Sequence, residues 1–357
     1  MNSNMTKFLS IAAVALFCVS AFGAIFAADD SDAASKNTYN VYVEVIGDDG
    51  IMTASGWVWF EAEDTMDAFA TEGTKALKAA GFSKMSFSVD PTYGISVGYT
   101  DGFGSACYYA KDGAWTAVAD GTQDYVPNTT LGFAVNYGYI PEATYTALPA
   151  DEKAKWSETG IGFGYDYMKI LDAKTTDVPA TKEYNVFVDI IDAAGKTVQT
   201  KWVSFESYKT SRGFVEGINL FMPENGLEKV GAKYNDSNGR VSATYDGAGS
   251  NRCYYENEGK WAAIEKSEED YIKGNAVAFG LDHGWITTAV YNALSDSEQQ
   301  GWEESGFGDP YAYYVLIDEP TDGYKSEEKN NTALYIGIGV AAVVVIAILA
   351  FVFLRKK

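Results

Sequence analysis

One long segment of this chain is written twice, and that duplication limits the possible folds more than any other feature. At an offset of 145 or 146 residues, "TYNVYVEVIGDDG" from Thr38 returns as "EYNVFVDIIDAAG" from Glu183, and "GWVWFEAE" from Gly56 as "KWVSFESY" from Lys201. "CYYAKDGAW" from Cys107 returns as "CYYENEGKW" from Cys253, and "DYVPNTTLGFAVNYGYI" from Asp124 as "DYIKGNAVAFGLDHGWI" from Asp270. The match closes with "YTALPADEKAKWSETGIG" from Tyr145 against "YNALSDSEQQGWEESGFG" from Tyr291. A unit this long is a domain and not a solenoid turn, so the sequence predicts two tandem homologous domains, 38–173 and 183–319, joined by the short polar linker 174–182. The offset grows by one where Asn251 and Arg252 stand against Ala106. That predicts a bulge or a longer turn before this strand of the second copy.

Changes of hydrophobic period separate the elements within each unit. "YNVYVEVI" and "GWVWFEAE", divided by "GDDG", are rich in β-branched and aromatic residues and read as strand, turn, strand. In "EDTMDAFATEGTKALKAAG" the apolar residues Met66, Phe69, Ala70, Leu77 and Ala80 follow a helical period, with Asp64 or Thr65 as cap and Gly81 as stop. The second copy offers Ser211 ahead of Phe214, Val215, Ile218 and Phe221, and ends at Pro223 and Gly226. Strands are predicted at "MSFSV", "ISVGY", "ACYYAK", "WTAV" and "GFAVNY", then a second helical segment leading to Trp156 or Trp302, and a last strand at "DYMKILDA" or "AYYVLIDE". The fold class is therefore α+β, a mixed sheet with packed helices in each copy.

The two ends answer to a bilayer. "KFLSIAAVALFCVSAFGAIFAADD" has the order of a secretory signal peptide, residues 1–28, with cleavage after Gly23 or Ala27. Bulky Phe17 ahead of Cys18 argues against a lipid-attached cysteine. At the other end 333–354 is uncharged and precedes Arg355, Lys356 and Lys357; as a helix it spans roughly 33 Å, enough for one crossing. A removable tail is the rival reading, but the charged stalk 320–332 contains no wall-sorting motif and three basic residues close the chain. Basic residues stay inside, so a single-pass protein with its ectodomain outside and 355–357 in the cytoplasm is expected. The net charge of −22 disfavours nucleic acid as a partner. With Cys18 in the signal, Cys107 and Cys253 remain, too few for a disulfide-built fold. Both are expected to be separate buried thiols.

Chemistry-bearing motifs are few. There is one histidine, His283, whose counterpart is Tyr137, and no nucleophile elbow, P-loop or metal-binding spacing appears. No cofactor, metal or enzymatic activity is expected. Tyr and Trp are abundant, 25 and 8, and strand alternation sorts them. Val58 and Phe60, like Val203 and Phe205, share the face under the helix; Trp57, Trp59 and Trp202 lie opposite. Tyr108 and Tyr254 oppose the cysteines by the same parity. These five aromatics are the candidate ligand-binding residues, able to stack on a sugar or clasp an apolar cofactor. The competing and more ordinary expectation is that they pack under the second helix and Trp156 or Trp302. Candidate glycosylation sites are Asn128, Asn235 and Asn330.

An early helix, a turn glycine, an aromatic strand, a second turn glycine, a Trp and a late Asp recur as Gly94, Tyr108, Tyr109, Gly113, Trp115 and Asp124, and as Gly239, Tyr254, Tyr255, Gly259, Trp261 and Asp270. In this order each unit resembles the transcobalamin-like C-terminal domains, β-grasp modules of secreted and surface proteins. The resemblance covers about two thirds of each unit. Cys107 and Cys253 stand where that family often has Trp, and Ile140 to Ala173 has no counterpart in it. It implies a β-grasp-like fold and, by analogy, a small extracellular ligand such as a corrinoid. The residues themselves point to a displayed protein for binding, adhesion or envelope structure.

Overall fold

The computed structural model describes residues 36–90, 94–118, 129–246, 250–266 and 268–318. The expected signal peptide, stalk and apolar C-terminal run lie outside these residues, as do Asn128 and Asn330. Among the described residues no helix is long and apolar enough to cross a membrane.

The first repeat begins with a long hairpin, β1 (Lys36–Ile46) and β2 (Met52–Glu63), followed by helix α1 (Met66–Ala79) and the hairpin β3 (Met85–Asp90) and β4 (Gly94–Tyr99). Strands β5 (Ala106–Lys111), β6 (Ala114–Ala117) and β7 (Thr130–Asn136) complete a five-stranded sheet in the order β2-β1-β7-β5-β6. β1 and β7 run parallel and the other pairs antiparallel, so the sheet is mixed. A second layer follows: β8 (Tyr139–Ile140), the one-turn helices α2 (Glu142–Ala147) and α3 (Ala150–Lys153), β9 (Trp156–Glu158) and β10 (Tyr167–Lys169).

The second repeat restates this order. It has β11 (Thr181–Ile191), β12 (Thr197–Tyr208), α4 (Ser211–Glu224), β13 (Val230–Asn235), β14 (Arg240–Tyr245), β15 (Arg252–Asn257), β16 (Lys260–Ala263) and β17 (Ala276–Asp282). Its outer layer is β18 (Trp285–Ile286), α5 (Thr288–Ala293), α6 (Asp296–Gln299), β19 (Trp302–Glu304) and β20 (Tyr313–Val315). Registers agree rung for rung: Tyr39 faces Phe60 and Tyr184 faces Phe205, with the same irregularity after Val45 and after Ile190.

Alternation along β1 and β2 places the core. Tyr39, Val41, Val43, Val58 and Phe60 pack with Phe69 and Leu77 of α1; Tyr184, Val186, Val188, Val203 and Phe205 pack with Phe214 and Ile218 of α4. The helix-facing side is thus the one the strand parity predicts. Thr65 caps α1, its side chain accepting from the Ala68 N–H. In the second copy Thr210, not Ser211, holds that position, because its hydroxyl accepts from Gly213 at 3.0 Å while Ser211 already lies in the helix. Pro223 sits within the last turn of α4 and the chain leaves the helix at Asn225. The extra residue of the second copy does not fall immediately before β15, and it makes no bulge there. It lengthens the β13–β14 turn, where Asn235 pairs with Arg240 while Asp90 pairs with Gly94, and beyond it the offset is already 146, with Ala106 and Arg252 on the same rung opposite Ala134 and Gly280. Asn251 ties down the approach to β15, donating to the Ala243 carbonyl and accepting from the Asp282 N–H.

Cys107 and Cys253 form no disulfide, and they are partly buried rather than fully so, packed against the helix-side cores. Burial pushes the Cys253 thiol up to about 11.

Candidate functional site

The sheet face away from α1 and α4 carries Trp57, Trp59, Tyr108, Trp202 and Tyr254. It is not open. In the first repeat the segment after Ile140 folds back over it, and Trp57, Tyr108, Trp156 and Leu171 join Tyr42, Ile46 and Ile140 in a second core. Tyr108 and Tyr254 are 4% and 5% exposed and donate their hydroxyls to the carbonyls of Lys169 and Val315 in the outer layer. Burial raises both phenols, Tyr254 to about 12. The two tyrosines therefore hold sheet to cover and offer no face to a ligand. Trp59 is half-buried at the junction of the repeats, where its backbone N–H donates to Glu216 Oε1 at 3.1 Å. Asn235 is exposed at the end of β13, its Oδ1 accepting from Ser237.

Trp57 and Trp202 remain, and they stand in contrasting surroundings. Trp57 is 9% exposed, with Tyr42 and Trp115 against it and Tyr208 of the second repeat meeting it edge-on, centroids 6.3 Å apart. Beside it lies a buried charged cluster. Glu44 on β1 and Lys169 on β10 are 6% and 3% exposed and pair at 3.7 Å; the Tyr42 hydroxyl donates to Glu44 Oε1 at 3.3 Å. The Lys169 ammonium also lies 5.7 Å from the Trp156 ring centre. Burial raises the Glu44 carboxyl and lowers the Lys169 ammonium, and each charge partly offsets the other's shift.

At the matching place in the second repeat there is an open cleft of about 670 Å³. Phe187, Trp202 and Trp261 form its aromatic wall, with Phe187 and Trp202 centroids 5.2 Å apart and Trp202 stacked on Trp261 at 6.4 Å. The Trp261 indole N–H donates to the Asp318 carbonyl at 2.7 Å, as Trp115 does to the Asp172 carbonyl at 3.2 Å, so the edge of each ring is fixed. Asp189 lies in the cleft where Glu44 lies in the first copy. It is 8% exposed and its Oδ1 has no hydrogen-bond partner. Burial raises its pKa, the Thr197 hydroxyl offsets this in part, and Asp318 raises it further. Both of the partners that Glu44 enjoys are gone, Tyr42 being replaced by Phe187 and Lys169 by Val315. At the mouth Lys196 pairs with Glu298 at 3.0 Å, and Glu298, also capped by Ser295, titrates down at about 2.

Asp189 and Trp261 are the site residues that strand reading missed as ligand contacts. A lone Asp in a β-strand reads as ordinary alternation, but its counterpart Glu44 and the loss of a lysine at 315 are both visible when the copies are aligned. His283 is 40% exposed, beside Asp282 and away from the cleft lining. Among the described residues no group of three or more His, Cys, Asp or Glu side chains is placed to hold a metal ion. In comparison with known proteins, no family model and no curated protein matches the chain.

Proposed function

We propose that this chain is a single-pass cell-surface protein displaying two β-grasp-like domains outside the cell, and that its second domain binds a small extracellular ligand. The observation that carries this reading is the contrast between the copies. The same sheet face is filled by side chains in the first and left as an aromatic cleft in the second. Its volume of about 670 Å³ is within the range of small-molecule sites, and aromatic walls with a few polar groups are the usual lining. The role is binding and not catalysis. The display itself rests on the two apolar ends and the basic tail.

Adhesion through a surface partner is the second reading, favoured by Phe163 and Phe307. These sit in glycine-rich loops of the two outer layers and are 99% and 79% exposed. Fluorescence titration of the full-length chain in detergent with a panel of sugars, corrinoids, amino acids and amines separates the two. A saturable change lost in Trp202→Ala supports the cleft. Adhesion of cells that is lost in Phe163→Ser/Phe307→Ser, with no saturable change from the panel, replaces it.

A further inference from the structure

We propose that the cleft of the second repeat takes a primary alkylammonium group, from a free amine or a lysine side chain, as the counterion of Asp189. This rests on the reading of that repeat as the binding module and specifies the chemistry of its ligand.

The first repeat supplies the template. There a carboxylate at the same sheet position is matched by an ammonium carried on a four-carbon stem, Lys169, which runs in from the outer layer past Trp156. In the second repeat the outer-layer position is Val315, whose side chain stops at Cγ against Gly280, while the carboxylate is kept as Asp189. Trp302 stands where Trp156 stands and lines the cleft together with Val315 and Asp189. The second copy has thus kept the acid and the ring and dropped the internal cation.

A buried carboxylate oxygen without a donor is costly in the free protein, and that cost is relieved by a cation. Two further features select the kind of cation. Phe187, in place of Tyr42, removes a hydroxyl and with Trp202 presents ring faces, and rings attract an ammonium while packing its alkyl stem. Asp189 is one carboxylate; the other acids lining the cleft are Asp318, which is exposed, and Glu298, already paired with Lys196 at the mouth. This suits a monovalent organic cation better than a metal ion wanting six or more oxygen ligands. Lys196 does not supply the charge, being 56% exposed and paired with Glu298. The acidic surface of the whole chain, at −22, draws cations toward the cleft.

The test is calorimetric titration of the full-length chain in detergent with n-butylammonium and with Nα-acetyl-lysine N-methylamide, against butan-1-ol and butyrate as neutral and anionic counterparts. The amines bind and the counterparts do not. Asp189→Asn weakens amine binding at least tenfold, and Val315→Lys, which rebuilds the internal cation of the first repeat, abolishes it with unfolding unchanged. Binding of the capped lysine identifies a polypeptide side chain as a competent source, and binding of butylammonium alone restricts the site to free amines. Should Asp189→Asn fail to fold, Val315→Lys alone decides. Equal binding of butanol and butylammonium, or amine binding indifferent to both variants, overturns the ammonium assignment. If a Trp202-dependent ligand is still found in the wider panel, the binding module stands with another ligand class; if nothing in either panel binds, the module reading falls as well.

Discussion

Arg212 shows how far a single residue can depart from its counterpart. In the first copy this helix position is Asp67, exposed; in the second it is an arginine 5% exposed, driven into the neighbouring repeat. Its guanidinium donates to the Ala80 carbonyl at 2.6 Å, pairs with Asp236, and lies between the rings of Phe82 and Tyr234 at 4.3 and 4.5 Å. Gly56 is required for this: a β-carbon there would meet the Arg212 side chain at 2.5 Å. Arg212→Ala leaves a buried acceptor at the end of α1 and an emptied slot between two rings. A loss of about 3–5 kcal/mol is expected in denaturant unfolding of the full-length chain. Lysine does not restore it, lacking the planar fork that bonds and stacks at once. Glu216, one turn further along α4, is 1% exposed with Oε2 unpartnered, and burial raises its pKa well above the ordinary value. A folded carboxyl that holds its proton above the unfolded pKa of roughly 4.3 binds more protons than the unfolded chain through that window, so its contribution to stability falls as pH rises. Wild type minus Glu216→Gln stability is therefore expected to decline steadily from about pH 4.5 upward, measured as denaturation midpoints across pH. A difference independent of pH would mean that Glu216 is ionised throughout.

At the scale of elements, β10 and β20 share a backbone and differ in chemistry. Lys169 of β10 is inseparable from Glu44 of β1, because removing one member leaves the other charge buried alone. Lys169→Met is expected to lower stability by about 3–5 kcal/mol, whereas Glu44→Gln/Lys169→Met together recover most of it, the pair being replaceable by uncharged groups. A double variant no better than the single one would show that Lys169 acts by its stem and not by its charge. The strands and the long helices are legible in the sequence because duplication doubles every signal, though the strand register is not and the second cap falls one residue earlier, at Thr210. Parity puts Val58, Phe60, Val203 and Phe205 under a helix, and they are there. The outer layer was less legible. Its strands are two or three residues long, too short for any period to show, and Pro149 and Ser295 divide its helical segment into single turns. The cover over Trp57 and Tyr108 follows from the ordinary burial of large aromatics and not from any pattern in the covering segment, and it is the arrangement found. The cleft over Trp202 was not separable from its filled twin by alternation alone, since what opens it is a change of partner on another element.

Across the whole molecule the two copies are neither independent beads nor one shared core. Each has its own helix-side cluster, yet Tyr208 of the second repeat closes the Trp57 face of the first and donates to Asn40 at 2.6 Å. Asn219 donates to the Ala79 carbonyl at 2.8 Å, and Arg212 to its neighbour Ala80, so two side chains of α4 satisfy carbonyls at the end of α1. Helix ends leave carbonyls unpaired, and here the second repeat supplies the donors. Unfolding the second repeat first would expose those carbonyls, Trp57 and the slot at Gly56. The coupling through Arg212 alone is worth several kcal/mol, comparable with the net stability of a small domain. The full-length chain is therefore expected to lose both repeats in one coincident transition, followed by far-ultraviolet circular dichroism and by tryptophan fluorescence at neutral pH. Arg212→Ala should split this into two steps while leaving both repeats folded in water, because neither helix-side cluster includes Arg212. Two separate transitions in the wild-type chain would mean that the junction couples the copies weakly, and a single transition retained in Arg212→Ala would move the coupling to Tyr208 and Asn219.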